Sequence, residues 1–216
     1  MKLIAHRGWN AGAGENSLAA FERAERDQGV VGVEFDVSRA ARGPGLAVSH
    51  DAPSGEGEIT LDTALSFLAQ TDLELFLEVK EEGLATAVID MLVTHGTAER
   101  SVVFGFAAVA RSFPWRNPRP VRLGLIVKYP WSLGRELRAH RPDMLLMGWD
   151  DRAWTRAAFL AWWSAFSLAG VRRRYGVPVV VGVVQRRADL DWLSGQDVHA
   201  AVVDMDRIEG TATPAA

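Results

Sequence analysis

Cysteine is absent from this sequence of 216 residues. Its absence excludes disulfide bonds, thiolate zinc sites and a cysteine nucleophile. The sequence also lacks an excess of basic residues: its formal net charge is −3, and we therefore expect no nucleic-acid partner. The longest apolar run, residues 157–171, has 15 residues, whereas a membrane-spanning helix needs roughly 20. The first residues contain no apolar stretch followed by a cleavage site, which predicts a cytoplasmic protein.

The composition is that of an ordinary globular protein. Hydrophobic residues account for 48% of the chain and charged residues for 24%. A chain of this length and composition can bury a core without disulfides or a structural metal. No linker rich in proline or serine divides the sequence. We therefore predict a single domain over residues 1–216.

Short β-branched runs alternate with amphipathic segments along the whole chain. Eight such runs predict a compact α/β protein, a (β/α)₈ TIM barrel, in which 216 residues divided by eight give 27 per repeat. An open doubly wound sheet is the alternative, because periodicity does not reveal whether a sheet closes. The predicted strands are residues 3–6, 31–37, 73–80, 101–104, 121–127, 144–147, 178–184 and 200–203.

Helical patterns fill the intervals between these strands. Asn16 and Thr60 are the predicted N-caps of the first two helices. A short polar, Gly-rich insertion follows strand 2 and includes a strand or loop at residues 46–50. The predicted helices are residues 17–28, 61–70, 84–95, 107–111, 133–141, 155–175 and 188–194.

Polar residues cluster at the ends of the first three predicted strands, which are otherwise apolar. Glu34 and Asp36 are two residues apart and therefore share one face of a strand, and Glu78 and Lys80 repeat this spacing. Taken singly, the Glu34/Asp36 pair could lie on an exposed edge, and the Glu78/Lys80 pair could be a structural salt bridge. On a barrel, however, all of these residues would face one mouth, where such enzymes place their active sites. The whole set is His6, Arg7, Glu34, Asp36, His50, Glu78 and Lys80.

These residue types point to phosphodiester cleavage. Three carboxylates are hard oxygen ligands suited to Mg²⁺ or Ca²⁺, and two histidines suit proton transfer at neutral pH. Arg7 and Lys80 add positive charge for a phosphate. A glycosidase barrel with two catalytic carboxylates is a rival, but it would leave both histidines and Arg7 unused. A barrel that binds a phosphorylated ligand without turnover is the non-enzymatic alternative.

Residues 3–80 contain five short motifs in order: His6-Arg7-Gly8, Glu15-Asn16-Ser17, Glu34-Phe35-Asp36, His50-Asp51 and Glu78-Val79-Lys80. In order and spacing these motifs resemble those of the glycerophosphodiester phosphodiesterase family. Beyond residue 80 the resemblance rests on strand rhythm and on a last strand that ends in an acidic residue, Asp204.

The resemblance implies a TIM-barrel hydrolase that splits a glycerophosphodiester or lysophospholipid, a small-molecule substrate, into glycerol phosphate and an alcohol. It implies that His6 and His50 are the acid/base pair and that Arg7 and Lys80 bind phosphate, while Glu15 helps to order the site. The implied ligands of the divalent cation are Glu34, Asp36 and Glu78. Similar proteins include lyase-type phospholipases D, which form a cyclic phosphate with the same residues.

The sequence departs from the family pattern around the expected pocket. Strand four ends in Gly105-Phe106 where the family commonly has Ser-Phe, and strand seven presents no tryptophan. The stretch between His50 and Leu61 has only 10 residues, which implies an open mouth. We expect Trp9 and Trp149 to line the pocket and Lys128 to be a further phosphate contact or, equally, a surface lysine.

The predicted helix at residues 155–175 carries Trp162 and Trp163 and a run of three arginines, residues 172–174. The favoured interpretation is an outer helix that packs on the barrel, with its basic end in solvent. The alternatives are docking on a membrane surface that holds a lysolipid, and dimerisation through the same face. The sequence leaves the oligomeric state open.

Overall fold

The computed structural model describes residues 1–9, 14–51, 57–116, 118–150 and 152–209. Its central sheet contains eight parallel strands in sequential order, and the first strand pairs with both the second and the last. This double pairing closes the sheet into a (β/α)₈ barrel and excludes the open doubly wound alternative. The barrel strands are β1 (Lys2–His6), β2 (Val30–Arg39), β5 (Glu74–Val79), β6 (Ser101–Phe106), β7 (Arg122–Ile126), β8 (Met144–Met147), β9 (Val179–Val184) and β10 (Ala200–Val203).

Helices follow the barrel strands and cover the outside of the sheet. In the described residues none is long and apolar enough to cross a membrane. They are α1 (Leu18–Arg26), α2 (Leu61–Leu68), α3 (Ala85–Thr94), α4 (Ala107–Ala110), α5 (Leu133–His140), α6 (Ala153–Phe166), α7 (Leu168–Tyr175), α8 (Arg187–Ser194) and α9 (Met205–Glu209), with 3₁₀ turns at Ala98–Arg100 and Pro130–Ser132.

The insertion after strand 2 forms a small antiparallel extension of the sheet. Strand β2 continues beyond the barrel, and its last residues pair with β3 (Leu46–Val48), which in turn pairs with β4 (Ile59–Thr60). The prediction of a strand or loop at residues 46–50 is therefore confirmed as a strand followed by a loop. This extension carries His50 to the carboxyl end of β2.

Two predictions about the helices were wrong in detail. The N-cap of α1 is Ser17, whose hydroxyl accepts a hydrogen bond from the Ala20 amide, and not Asn16. Thr60 caps α2 as predicted, accepting from the Thr63 amide. The predicted helix over residues 155–175 is two helices, because Ser167 takes a positive φ of 59° that no α-helix accommodates. The hydrophobic periodicity of the sequence continues across this break and therefore does not reveal it.

The interior of the barrel is layered by the period-2 alternation of the strands. Within one strand, side chains two residues apart both point into the barrel, so a single strand contributes side chains to more than one layer of the interior. At the amino ends, Glu74 pairs with Lys2 and with Arg122. The next layers are apolar and hold Ile4, Phe76, Val102, Phe104, Met144, Leu146, Val180, Ala200 and Val202. The layer at the carboxyl ends is polar again, and it forms the site described next.

Candidate active site

The predicted site residues at the carboxyl ends of β1, β2 and β5 come together at one mouth of the barrel. His6 lies two residues beyond the interior residue Ile4, and Glu78 two residues beyond Phe76. In the sheet register His6 is opposite Glu34, and Asp36 is opposite Glu78. The same alternation that fills the barrel interior therefore turns these polar side chains toward the centre of the mouth.

Three carboxylates form a compact cluster there. Oxygens of Glu34, Asp36 and Glu78 lie within 4.8 Å of one another. The Lys80 Nζ atom is 3.0 Å from an oxygen of Asp36 and 3.0 Å from an oxygen of Glu78. Glu34 and Asp36 are buried. Such a cluster is stable only if positive charge or protons offset the repulsion between the carboxylates.

Arg7 joins this cluster to a turn that requires an unusual backbone. The Arg7 amide donates to Glu34 at 3.2 Å, and its Nε atom lies 3.1 Å from Asp36 as an ion pair without hydrogen-bond geometry. Its guanidinium also pairs with Glu15. Arg7 has φ 52° and Gly8 has φ 73°, and a Cβ on Gly8 would lie 2.8 Å from the Cβ of Ala20. The turn therefore needs glycine after the arginine.

Asn16 is a site residue that the sequence analysis did not identify, since it was assigned as a helix cap. Its side-chain amide donates to Asp36 at 3.0 Å and accepts from the Asp36 backbone amide at 3.3 Å. The Asn16 backbone is left-handed, with φ 54°, a conformation that asparagine tolerates better than most residues. Its place inside the Glu15-Asn16-Ser17 motif was the available signal.

Replacement of Asn16 is expected to weaken both the fold and the carboxylate cluster. In Asn16→Ala, the buried Asp36 loses two hydrogen bonds, which costs about 1–3 kcal/mol in the free energy of unfolding. Urea denaturation measures this loss, with the exposed variant Gln70→Ala as control. An unchanged free energy of unfolding in Asn16→Ala would contradict the assigned role.

The pKa values of the three carboxyl groups diverge because their partners differ. Burial raises the pKa of Glu34 well above its usual value, and the neighbouring Asp36 and Glu78 raise it further. Burial also raises the pKa of Glu78. Burial alone would raise the pKa of Asp36 too, but Lys80, Asn16 and Arg7 together outweigh it and lower that pKa. Glu34 is therefore the carboxylate whose charge the protein compensates least.

This donor set fits a hard divalent cation. The three ionised carboxylates carry three negative charges, whereas Lys80 and Arg7 supply two positive charges, and Arg7 is shared with a fourth carboxylate, Glu15. Negative charge therefore exceeds positive charge in this cluster. Burial is the largest cause of the raised pKa of Glu34, and the neighbouring negative charges add to it. A divalent cation near Glu34 would offset the surplus of negative charge, and carboxylate oxygens are the ligands that Mg²⁺ and Ca²⁺ prefer.

Both histidines lie close to this cluster. His6 is mostly buried, with Nε2 3.9 Å from Glu34, and its pKa is lowered to about 4 by burial and by the charge of Arg7. His50 is more exposed, with Nδ1 2.9 Å from an oxygen of Asp51. The His50 loop is tied to β2 because the Ser49 amide donates to the Asp36 carbonyl at 3.1 Å. His50 is near enough for its charge to lower the pKa values of His6 and Glu78.

A cavity of about 350 Å³ opens from this polar floor, a volume typical of small-molecule sites. His6, Glu34 and Glu78 line its bottom. The expected pocket residues Lys128 and Trp149 also line it, and the Lys128 Nζ atom is 3.4 Å from Asp150. Trp149 packs edge-on against Phe159 at 5.2 Å. Its lining also contains seven aromatic residues that were not expected there: Phe104, Phe106, Tyr129, Trp131, Trp154, Phe159 and Trp162.

The expectation that Trp9 lines the pocket was wrong. Trp9 is buried in the core, with the Arg23 guanidinium 4.8 Å from the centre of its ring. The turn at Arg7 and Gly8 directs the chain away from the mouth and toward α1. Half of the stretch between His50 and Leu61, residues 52–56, lies outside the described residues, as does Asp151, so the expected open mouth on that side stays a prediction.

Comparisons with known proteins agree with this architecture. No family model matches the chain, and no curated protein matches it. Among solved structures, a glycerophosphodiester phosphodiesterase from Agrobacterium tumefaciens str. C58 is 20% identical, with a TM-score of 0.73, and the match covers 94% of this chain and 96% of that one. One from Parabacteroides distasonis ATCC 8503 is 19% identical, with a TM-score of 0.73 and coverages of 94% and 92%.

A third solved structure adds a bound product. An Oleispira antarctica phosphodiesterase in complex with the product sn-glycerol-3-phosphate is 20% identical, with a TM-score of 0.69 and coverages of 96% and 94%. At these identities the likeness shows a shared fold over nearly the whole chain. The fold that the motifs implied, the TIM barrel of the glycerophosphodiester phosphodiesterases, is thereby confirmed.

Proposed function

We propose that this chain is a cation-dependent phosphodiester hydrolase that cleaves glycerophosphodiesters or lysophospholipids to glycerol phosphate and an alcohol. One observation carries the proposal: a histidine, an acidic trio and two basic side chains converge at the mouth of a barrel, with a second histidine beside them. Solved phosphodiesterases with the same fold support it.

In the proposed reaction, His6 and His50 carry out the two proton transfers. One imidazole takes a proton from the attacking water as its oxygen forms a bond to phosphorus. The other imidazole gives a proton to the alkoxide oxygen as the second P–O bond breaks. Both imidazoles then return to their starting states by exchange with solvent. The products are a phosphate monoester and a free alcohol, so atoms and charges balance.

Arg7 and Lys80 would contact the phosphate oxygens. Both are ion-paired with carboxylates, Arg7 with Glu15 and Asp36 and Lys80 with Asp36 and Glu78, which restricts these side chains before a substrate binds. Glu15 would act through Arg7, and Lys128 would add positive charge at the cavity wall. Glu34, Asp36 and Glu78 would hold Mg²⁺ or Ca²⁺, which when bound would stabilise negative charge developing on the phosphoryl oxygens.

The proposal also covers the domain organisation, the location and the partners of the protein. We infer one catalytic domain over residues 1–216 that acts in the cytoplasm on a small-molecule substrate, without a nucleic-acid partner. The net charge of −3 supports the last point.

Turnover assays with three substrates test the proposal. Glycerophosphocholine, glycerophosphoethanolamine and a lysophosphatidylcholine are each incubated with Mg²⁺, with Ca²⁺ and with EDTA, and products are followed by ³¹P NMR. A phosphate monoester is the expected product. A cyclic phosphate would instead indicate the lyase reaction, in which a substrate hydroxyl replaces water. No turnover of any of the three substrates with either cation would overturn the proposal and favour a barrel that only binds phosphorylated ligands.

A further inference from the structure

Aromatic side chains form one wall of the catalytic cavity and extend from it to the surface. We call this wall the aromatic cleft; its members come from the segments that follow β6, β7 and β8 and from α6. Trp131 is 73% exposed and Trp154 is 62% exposed. The residues of the aromatic cleft are Phe106, Tyr129, Trp131, Trp149, Trp154 and Trp162.

Packing of the fold does not account for this exposure. On α6, Trp163 is buried and lies outside the cavity lining, as expected for a helix that covers the barrel, whereas Phe159 is buried and contributes to that lining. Trp154 and Trp162 lie on the same helix, line the cavity and are 62% and 38% exposed. Contiguous exposed apolar surface of this kind marks a site that binds apolar groups. The cleft therefore has a ligand-binding role separate from stability.

The aromatic cleft is continuous with the catalytic floor. The same cavity is lined at one end by His6, Glu34 and Glu78 and elsewhere mainly by apolar side chains. A molecule that fills it must present a charged phosphate to the floor and an apolar group to the wall. A small polar alcohol would leave the wall in contact with water, and the apolar area would contribute nothing to binding.

A quaternary ammonium group is a poorer fit to this wall. The Lys128 ammonium is already 5.8 Å from the centre of the Tyr129 ring, so the wall carries a cation of its own. The Tyr129 and Trp131 rings are stacked, with their centroids 4.8 Å apart and an angle of 11° between their planes. Stacked rings cover part of each other's faces, so they do not surround a cation as an aromatic cage does. The apolar lining therefore favours an apolar chain over a quaternary ammonium group.

We infer that the substrate is a phosphodiester with a single alkyl or acyl chain on one of its two arms, and that this chain lies in the aromatic cleft. The inference rests on the proposed function and narrows its substrate class. The chain could belong to the glycerol arm, as in a lysophospholipid, or to the leaving alcohol, as in a glycerophosphoalkanol. Both present the same chemistry to the wall. Trp131 and Trp154 are then specificity-determining residues.

Chain-length series of both substrate types test this inference. Monomeric lysophosphatidylcholines and glycerophosphoalkanols with four to ten carbons are compared with glycerophosphocholine, all below their micellar concentrations. We expect kcat/KM to rise about two- to fourfold for each added CH₂ until the cleft is filled, in at least one series. A kcat/KM independent of chain length in both series, together with turnover of glycerophosphocholine, would overturn this inference and leave the proposed function intact.

A binding measurement does not depend on turnover. Octylphosphocholine monomers are expected to change the intrinsic tryptophan fluorescence saturably, whereas glycerophosphocholine at the same concentration is expected to produce a change at least tenfold smaller. If the protein binds octylphosphocholine but cleaves no phosphodiester, the proposed function fails while the cleft assignment stands. If octylphosphocholine does not bind, the cleft assignment fails.

Variants locate the effect and separate it from membrane docking. Trp131→Ala is expected to reduce the kcat/KM ratio between ten-carbon and four-carbon substrates at least fivefold, and Trp131→Leu to restore part of it. Phe166→Ala is the matched control, because Phe166 is 62% exposed but lies outside the cavity lining. If both alanine variants lose activity only on lysolipid held in vesicles, with no change on monomers, the aromatic residues dock a membrane and the cleft assignment is wrong.

Discussion

The substitution His6→Gln is expected to lower kcat by roughly 10²- to 10⁴-fold, the contribution that a positioned acid or base makes to a proton transfer. Glutamine is similar in size and keeps a hydrogen-bond donor and acceptor, but it has no group that gains or loses a proton near neutral pH. His6 lies next to Glu34 in the lining of the cavity, and in the proposed reaction its loss removes one of the two groups that transfer a proton. Steady-state turnover of glycerophosphocholine measures the effect.

The matched control is His95→Gln, which makes the same change at a histidine that pairs with Asp62 on the outer helices. Its kcat is expected to stay within twofold of the original. His50→Gln is expected to resemble His6→Gln, because the mechanism uses both imidazoles. Circular dichroism should show that all three variants remain folded. A near-normal kcat in either His6→Gln or His50→Gln would refute the two-histidine mechanism.

Removal of divalent cations with EDTA is expected to lower turnover by roughly 10³-fold, since a cation at the phosphoryl oxygens contributes several kcal/mol to transition-state stabilisation. A second result should accompany it without any substrate. Saturation with the activating cation, at about 100 times its Kd, should stabilise the fold by about 2.7 kcal/mol. The physical cause is the surplus negative charge at Glu34, which burial makes costly. Thermal denaturation with and without the cation measures it.

The variant Glu34→Gln links both results to one residue. It removes the least compensated carboxylate, so the cation-dependent rise in Tm should fall by more than half and the cation concentration for half-maximal activity should rise at least tenfold. Glu22→Gln, on the exposed face of α1, is the matched control and should change neither quantity. Full turnover in EDTA, or no cation-dependent rise in Tm, would disprove the assigned cation site.

Most of the secondary structure was predictable because it depends on the local periodicity of hydrophobic residues. The predicted bounds of β8 and β10 agree with the structure, and the other barrel strands differ by one or two residues at an end. Hydrophobic periodicity is a local property, and buried parallel strands present it strongly. The break at Ser167 was not predictable, because apolar residues continue on both sides of it.

The site was predictable in part for the same reason. The two-residue spacing of Glu34 and Asp36 on β2 follows directly from strand geometry, and it correctly indicated a common face. The partnership of Asn16 with Asp36 was not predictable, since 20 residues separate them and only the turn at Arg7 brings them together. Trp9 is the opposite case, because it directly follows the His6-Arg7-Gly8 motif in the sequence but its side chain is buried in the hydrophobic core.

The aromatic cleft is a feature that local sequence patterns do not predict. From the sequence, the adjacent residues Trp162 and Trp163 are both expected on a helix that packs on the barrel. Only the tertiary structure shows that Trp162 lines the cavity while Trp163 is buried. Periodicity and motif order therefore determined the βα repeat, the polar residues at the strand ends and the chemistry they suggest. Tertiary structure alone decided that β1 meets β10, that a surplus charge falls on Glu34 and that the wall beside it is apolar. Closure, charge balance and cavity shape depend on contacts between residues far apart in the chain, and no local pattern encodes them.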